Sequence, residues 1–213
     1  MPLSIHRRAV LAAALSLTLS CALAARPEDG VRAASDHFSR AAAGDSSAIE
    51  PAAQAWQLQV AAHPDDPLAR AYLGAATTMR ATTSWLPWRK IAHVEDGLAQ
   101  IDKALALLTA AHDQARPGLA TVSLETRLVA AHTFLALPAM FNRAARGQRM
   151  LEEMLAHPAF EGSPLSFRAQ VWMAAGEEAA RAGRKVEARK LLQQVVAAQG
   201  PQARRAGELM TGL

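Results

Sequence analysis

The chain has 213 residues, 51% apolar, 20% charged and 5% aromatic, a length and balance that give one compact domain and exclude collagen, a disordered tail and a polytopic membrane protein. Its 50 alanines stand against 4 isoleucines and 10 valines, which predicts an all-α protein, since alanine is the best helix former and a poor strand former. The formal charge of +4 falls once residues 1–24 are set aside, because Arg7 and Arg8 leave with them and no acidic residue does; 21 Lys and Arg then face 19 acidic residues, too near balance to argue for nucleic acid.

Residues 1–24 have the pattern of a secretory signal. His6-Arg7-Arg8 is a basic start, Ala9 to Leu19 is an apolar run too short to span a bilayer, and Ala22-Leu23-Ala24 offers small residues for cleavage before Ala25. Arg7-Arg8-Ala9-Val10-Leu11 resembles a twin-arginine signal without its preceding Ser or Thr and following Lys, so the general secretory route stays open beside it. Cys21 is the lone cysteine. Cleavage after Ala24 leaves a mature chain, residues 25–213, with no disulfide and no thiol. The rival is a lipid anchor on Cys21, for which Thr18 and Leu19 are poor lipobox residues and Ser20 a good one. A periplasmic protein with no membrane span is the expectation.

Helices follow in order, separated by Pro and Gly. The first runs from Val31 to Ala43 and breaks at Gly44-Asp45. Ser46 or Ser47 caps the second, which ends near Ala62. Asp66 caps the third, with Pro67 at its first position, and it ends near Thr82. Residues 84–88 are a loop. A long fourth helix extends to His112, with Val94, Leu98, Ile101, Leu105 and Leu108 on one face. Pro117-Gly118 resets the chain for the fifth, which stops before Pro138. The sixth spans about Asn142 to Ala156, the seventh starts after Pro164 and ends near Gly183, and the eighth reaches Ala198. Gly200-Pro201 opens a short terminal helix. The sum is four antiparallel pairs and a cap, the pattern of a helical-hairpin solenoid, in which each pair has an apolar face that its neighbour covers.

The last pair carries a family likeness. Trp172, Gly176, Gly183, Ala188, Leu192 and Pro201 fall where the tetratricopeptide repeat places Trp, the Gly of Leu-Gly, the turn Gly, Ala, a large apolar residue and Pro. Ala52, Trp56 and Pro64, then Leu73-Gly74, then Gly97, Ile101, Ala104 and Leu105, and Gly147, Leu151, Met154 and Leu155 match in pieces. The chain thus resembles a divergent tetratricopeptide-repeat-like exported bacterial protein. Tyr72-Leu73-Gly74, Trp85-x-Pro87-x-x-Lys90, Asp102-Lys103-Ala104 and Leu137-Pro138-x-x-Phe141-x-Arg143 add a likeness to exported repeat proteins without a settled role. The resemblance implies binding of a protein or peptide, as an adaptor, chaperone or assembly factor, with no cofactor and no catalysis; an accessory protein anchored through Cys21 is the alternative.

Chemistry-bearing patterns are sparse. The seven histidines are dispersed and form no His-Glu-x-x-His string, so no metal site is expected, and they are assigned to surface or capping positions. Glu152-Glu153 and Glu177-Glu178 point about 100° apart on their helices, which suits solvated faces better than paired acid and base. Serines lack a Gly-x-Ser-x-Gly context. The candidate binding residues are Trp85, Trp88, Arg89 and Lys90, in a segment eleven residues longer than the repeat spacing between Gly74 and Gly97, joined by Arg127 and Arg143 as a cationic lining. Two plainer readings stand beside this: the tryptophans plug the longer turn, and the arginines, with Arg146 and Arg149, are a solvated face. For export, mass spectrometry of the mature protein should find a free N-terminus at Ala25; an acylated Cys21 would contradict it.

Overall fold

The computed structural model describes residues 27–213, so the expected leader, the expected cleavage position at Ala24–Ala25 and Cys21 lie outside the described residues. The described chain is all-α. Its nine α-helices are α1 (Pro27–Ala42), α2 (Ile49–Ala62), α3 (Pro67–Thr83), α4 (Pro87–Ala106), α5 (Val122–Ala136), α6 (Ala144–Leu155), α7 (Leu165–Arg181), α8 (Lys185–Ala197) and α9 (Ala203–Thr211). Local chemistry sets most ends. Asp66 accepts from the amides of Leu68 at 2.8 Å and Ala69 at 3.1 Å, with Pro67 opening α3, as its sequence predicts. The cap before α2 is Asp45, not a serine: its carboxylate accepts from the Ser47 amide at 3.0 Å and hydroxyl at 2.6 Å and starts a 3₁₀ turn. Gly183, at φ +73°, makes the left-handed turn between α7 and α8.

Helices pack as pairs, α1 with α2, α3 with α4, α5 with α6 and α7 with α8, and α9 closes the end against α8. The result is a helical-hairpin solenoid. Its main core joins the three later pairs, with Val94, Leu98 and Ile101 of α4 meeting Leu124, Leu128 and Phe134 of α5, Leu151 and Met154 of α6, and Val171 of α7. A smaller cluster at the first pair centres on Trp56 and Leu73. At the other end, Leu192 and Val195 of α8 are covered by α9 through Ala206. The apolar faces at these three clusters are closed by neighbouring helices, so the pairs are stable together rather than singly.

Several boundaries differ from the sequence-based expectation. Helix α4 stops at Ala106 rather than His112, because Thr109 turns extended (φ −131°, ψ 168°) and starts a 3₁₀ turn in which its amide donates to His112 Nδ1 at 3.0 Å. Helix α5 starts at Val122, four residues after Gly118, capped by the Thr121 hydroxyl. The preceding bend is tied down by Arg116, whose Nε donates to the Ala120 carbonyl at 2.9 Å. Glu178, expected on a solvated face, is 5% exposed; it accepts from Gln148 Nε2 at 2.8 Å and pairs with Arg181, so it links α6 to α7.

The largest difference lies between Gly74 and Gly97. The extra residues do not form a loop; they lengthen both helices, and the turn between them is only Ser84 to Leu86. The helices cross where the two glycines meet. A Cβ on Gly74 would lie 2.7 Å from the Gly97 carbonyl oxygen, and a Cβ on Gly97 would lie 2.6 Å from that of Gly74 and 2.8 Å from the Thr78 amide. Beyond this crossing α3 runs nine residues to Thr83, about 13 Å, while α7 runs five residues past Gly176, about 7 Å. The α3–α4 hairpin therefore has the longer arms. Gly97→Ala must move backbone, and by chemical denaturation it should cost about 1–3 kcal/mol. Gly207→Ala, in open space on α9, should instead stabilise by about 0.5–1 kcal/mol. Equal stabilities for the two variants would refute the crossing.

Candidate functional site

The first helices of the pairs, α1, α3, α5 and α7, line one side of the solenoid and enclose a groove of about 1010 Å³. The lengthened start of α4 forms one wall, through Pro87, Ile91 and Val94. The segment after α5 forms another, through Pro138, Met140 and Phe141. Helix α5 supplies the floor. Its Leu124 and Phe134 enter the core, while Val129, His132 and Ala136, spaced three and four apart, face the groove. Helix α5 is thus apolar on two faces, only one of which a neighbour covers.

Tyr72 of α3 reaches the groove wall from an aromatic stack. Its ring lies parallel to Trp56, centroids 4.6 Å apart, and meets Phe38 edge-on at 4.9 Å. Burial raises the Tyr72 phenol above its ordinary pKa, and the charge of Glu125 adds to the rise. Glu125 is itself raised by burial, against the lowering effect of Arg116, whose Nη2 donates to it at 2.7 Å. His132 is lowered by burial, with Glu177 acting the other way. Its ring surface is open to the groove, yet it sits in a concavity with protein on most sides, where a charged imidazolium is poorly solvated. The groove is therefore an apolar trough with few polar groups: Tyr72, Lys90, Glu125, His132, Gln170 and the hydroxyls of Thr78, Thr82 and Thr133, which donate to carbonyls of their own helices. Apolar walls with sparse polar groups are the composition of a binding site. Among the described residues, no three His, Cys, Asp or Glu side chains converge to hold a metal ion.

The six sequence-nominated residues fall in three places. Trp85 and Trp88 stand at the tip of the α3–α4 hairpin, 84% and 65% exposed. They do not plug the turn, because α3 and α4 continue as helices and leave no loop for them to pack under. Arg89 is exposed beside them, and Lys90 is exposed on the groove wall. Arg127 lies on α5 away from the groove, bonded to the Ser123 hydroxyl and 3.9 Å from Asp113. Arg143 donates to Asp102 of α4 at 3.1 Å and lies over the Phe134 ring at 5.5 Å, with Arg146 on the same carboxylate and the same ring. Arg143 is therefore a half-buried cross-link between pairs, neither a solvated face nor a lining of the groove. The tip and these two arginines are separate features. Reading the sequence alone missed Tyr72, Glu125 and His132 as groove residues; the signal available was the second apolar face of α5.

No family model, no curated protein and no solved structure matches the chain.

The groove groups set opposite pH dependences. His132 titrates below its ordinary 6.5 in the folded state, so the unfolded chain binds the extra proton and stability falls as pH drops below 6.5. Glu125 titrates above its ordinary 4.5, so its contribution is present at low pH and lost as pH rises from 4.5 through its folded value. Denaturation across this range should show a shallower acid loss in His132→Gln than in the native chain, and Glu125→Gln should remove the opposing slope. Parallel curves for His132→Gln and the native chain would show that His132 is not held neutral.

Proposed function

We propose that this chain is a tetratricopeptide-repeat-like binding protein of the bacterial periplasm, non-catalytic, acting as an adaptor, chaperone or assembly factor. It holds an apolar segment of a protein or peptide partner in the groove formed by α1, α3, α5 and α7. One observation carries the reading: a groove of about 1010 Å³ bordered by apolar side chains left open to it, Ile91, Val129, Ala136 and Met140, above the buried Val94, Leu128 and Phe167. Desolvating such a surface against an apolar ligand is favourable, at roughly 25 cal/mol per Å². The few polar groups stand apart among apolar walls, and Glu125 is already engaged by Arg116 at 2.7 Å, an arrangement that we read as orienting a bound segment.

The repeat likeness supports the same reading through small residues at helix crossings. A Cβ on Gly176 would meet Leu192 at 3.0 Å, and one on Gly147 would meet Leu135 at 2.9 Å, so close approach within pairs recurs along the chain. Trp172 packs edge-on to Phe160, at 5.9 Å, and adjoins the terminal cluster, filling space between pairs.

Photocrosslinking in cells tests the groove. A benzophenone side chain at Gln170, an exposed residue of α7 on the groove wall, should capture a protein through an apolar segment, whereas one at the outward-facing Val186 should not. Ala136→Trp, which fills the groove and leaves the core untouched, should weaken capture about tenfold or more, a loss of about 1.4 kcal/mol, without lowering the melting temperature. Equal capture from Gln170 and Val186 would sink the reading.

A further inference from the structure

We infer that the tip of the α3–α4 hairpin docks on the surface of an anionic lipid bilayer. Trp85, Trp88 and Ile91 recur at three-residue spacing, all exposed, on the turn and first helical turns of α4. Met140, 69% exposed, borders the same end of the groove. Such a cluster of large apolar side chains is placed in water only at a cost, and here it stands at the end of the longest arms of the solenoid.

The charge of the tip fits a bilayer. No acidic residue occurs between Asp66 and Glu95, and Arg80, the cation nearest the turn on α3, is already held by Glu50 at 2.9 Å. Among the described residues, Arg89 and Lys90 take part in none of the ion pairs. Helix α4 also starts without a side-chain cap, so the amides of its first turn and the positive end of its dipole add to the attraction for phosphate. Tryptophan rings settle at the headgroup level of a membrane, and Arg and Lys bury their stems while their charges reach phosphates.

Area argues against a protein as the occupant. Each Trp buries about 150–250 Å², so the pair supplies roughly 300–500 Å². A stable protein interface needs about 800 Å² on each side. Ile91, the other exposed apolar side chain at the tip, adds less than a Trp would, whereas a fluid bilayer adapts to so few side chains. Pro87, Lys90 and Ile91 belong both to this end of α4 and to the groove wall, so docking sets the groove mouth beside the lipid surface. The tip contact does not depend on what the groove holds.

Vesicle binding of the full chain tests the inference, with residues 1–26 common to all variants. On phosphatidylglycerol–phosphatidylcholine vesicles the native protein should show a blue shift of tryptophan emission and quenching by brominated lipid, and added salt should weaken the binding. Trp85→Ala/Trp88→Ala should reduce partitioning about tenfold or more with an unchanged melting temperature. Arg89→Glu/Lys90→Glu should lose most of the preference for anionic over pure phosphatidylcholine vesicles. Ala136→Trp should bind vesicles as the native protein does, which separates this test from that of the groove. Vesicle binding equal in the native chain and the double tryptophan variant would overturn the inference. So would loss of partner capture in that variant without any vesicle binding by the native chain, which would assign the tip to a protein.

Discussion

Helices α3 and α4 touch backbone to backbone at Gly74 and Gly97, and that contact governs what surrounds it. Each glycine leaves room only for the other's carbonyl, and a single methyl at either place would lie inside the distance that real side chains keep. With the axes held so close, Ile101 and Thr78 pack directly over the crossing, and the two helices run on together to the turn at Ser84 to Leu86. Extension costs little once the crossing is made, because each added residue gains a backbone hydrogen bond and fixes only its own dihedrals. The added length raises one wall of the groove and carries Trp85 and Trp88 beyond the rest of the solenoid.

Charge is sorted by this framework. Along the body of the solenoid, cations are committed to acids on neighbouring elements: Arg143 and Arg146 share Asp102 across two pairs, Arg116 holds Glu125, and the exposed Arg205 of α9 reaches Glu177 of α7 at 2.7 Å. The Arg143 and Arg146 planes also cover the face of Phe134, so the cross-link includes a cation–π contact as well as an ion pair. Removing one partner from the half-buried Arg143–Asp102 or Arg116–Glu125 pair leaves the other poorly solvated, which makes Arg143 and Arg116 structural. At the hairpin tip the reverse holds, and Arg89 and Lys90 keep their charge for whatever lies outside.

Helix α5 joins stability to binding. Leu124, Leu128, Ala131 and Phe134 enter the main core, and Val129, His132 and Ala136 form the groove floor on the adjoining face. A residue change on the first face is felt as unfolding and one on the second as a change in what the groove accepts. His132 and Glu125 stand at that boundary, close enough to the core to be poorly solvated and open enough to meet a ligand, and for that reason their protonation is displaced in opposite senses.

Composition and local pattern alone determined that the chain is all-α and paired. Fifty alanines, the Asp66-Pro67 start and the Gly183 turn act through a few neighbouring residues, and such effects survive without knowledge of the rest of the fold. The repeat likeness named Gly176 and Gly97 as positions of its pattern, and the structure shows both at close helix contacts. Tertiary structure alone decided where the spacing between Gly74 and Gly97 went, because a helix continues or yields to a loop according to whether a partner helix runs beside it. It also separated Arg127 and Arg143 from Trp85 and Trp88, since Asp113 and Asp102, far away in sequence, lie within reach only after the pairs have packed. The groove belongs to the same class. Tyr72, Glu125, His132 and Met140 come from three segments with no shared motif, and they face one space only because the solenoid brings α3, α5 and the segment after α5 side by side.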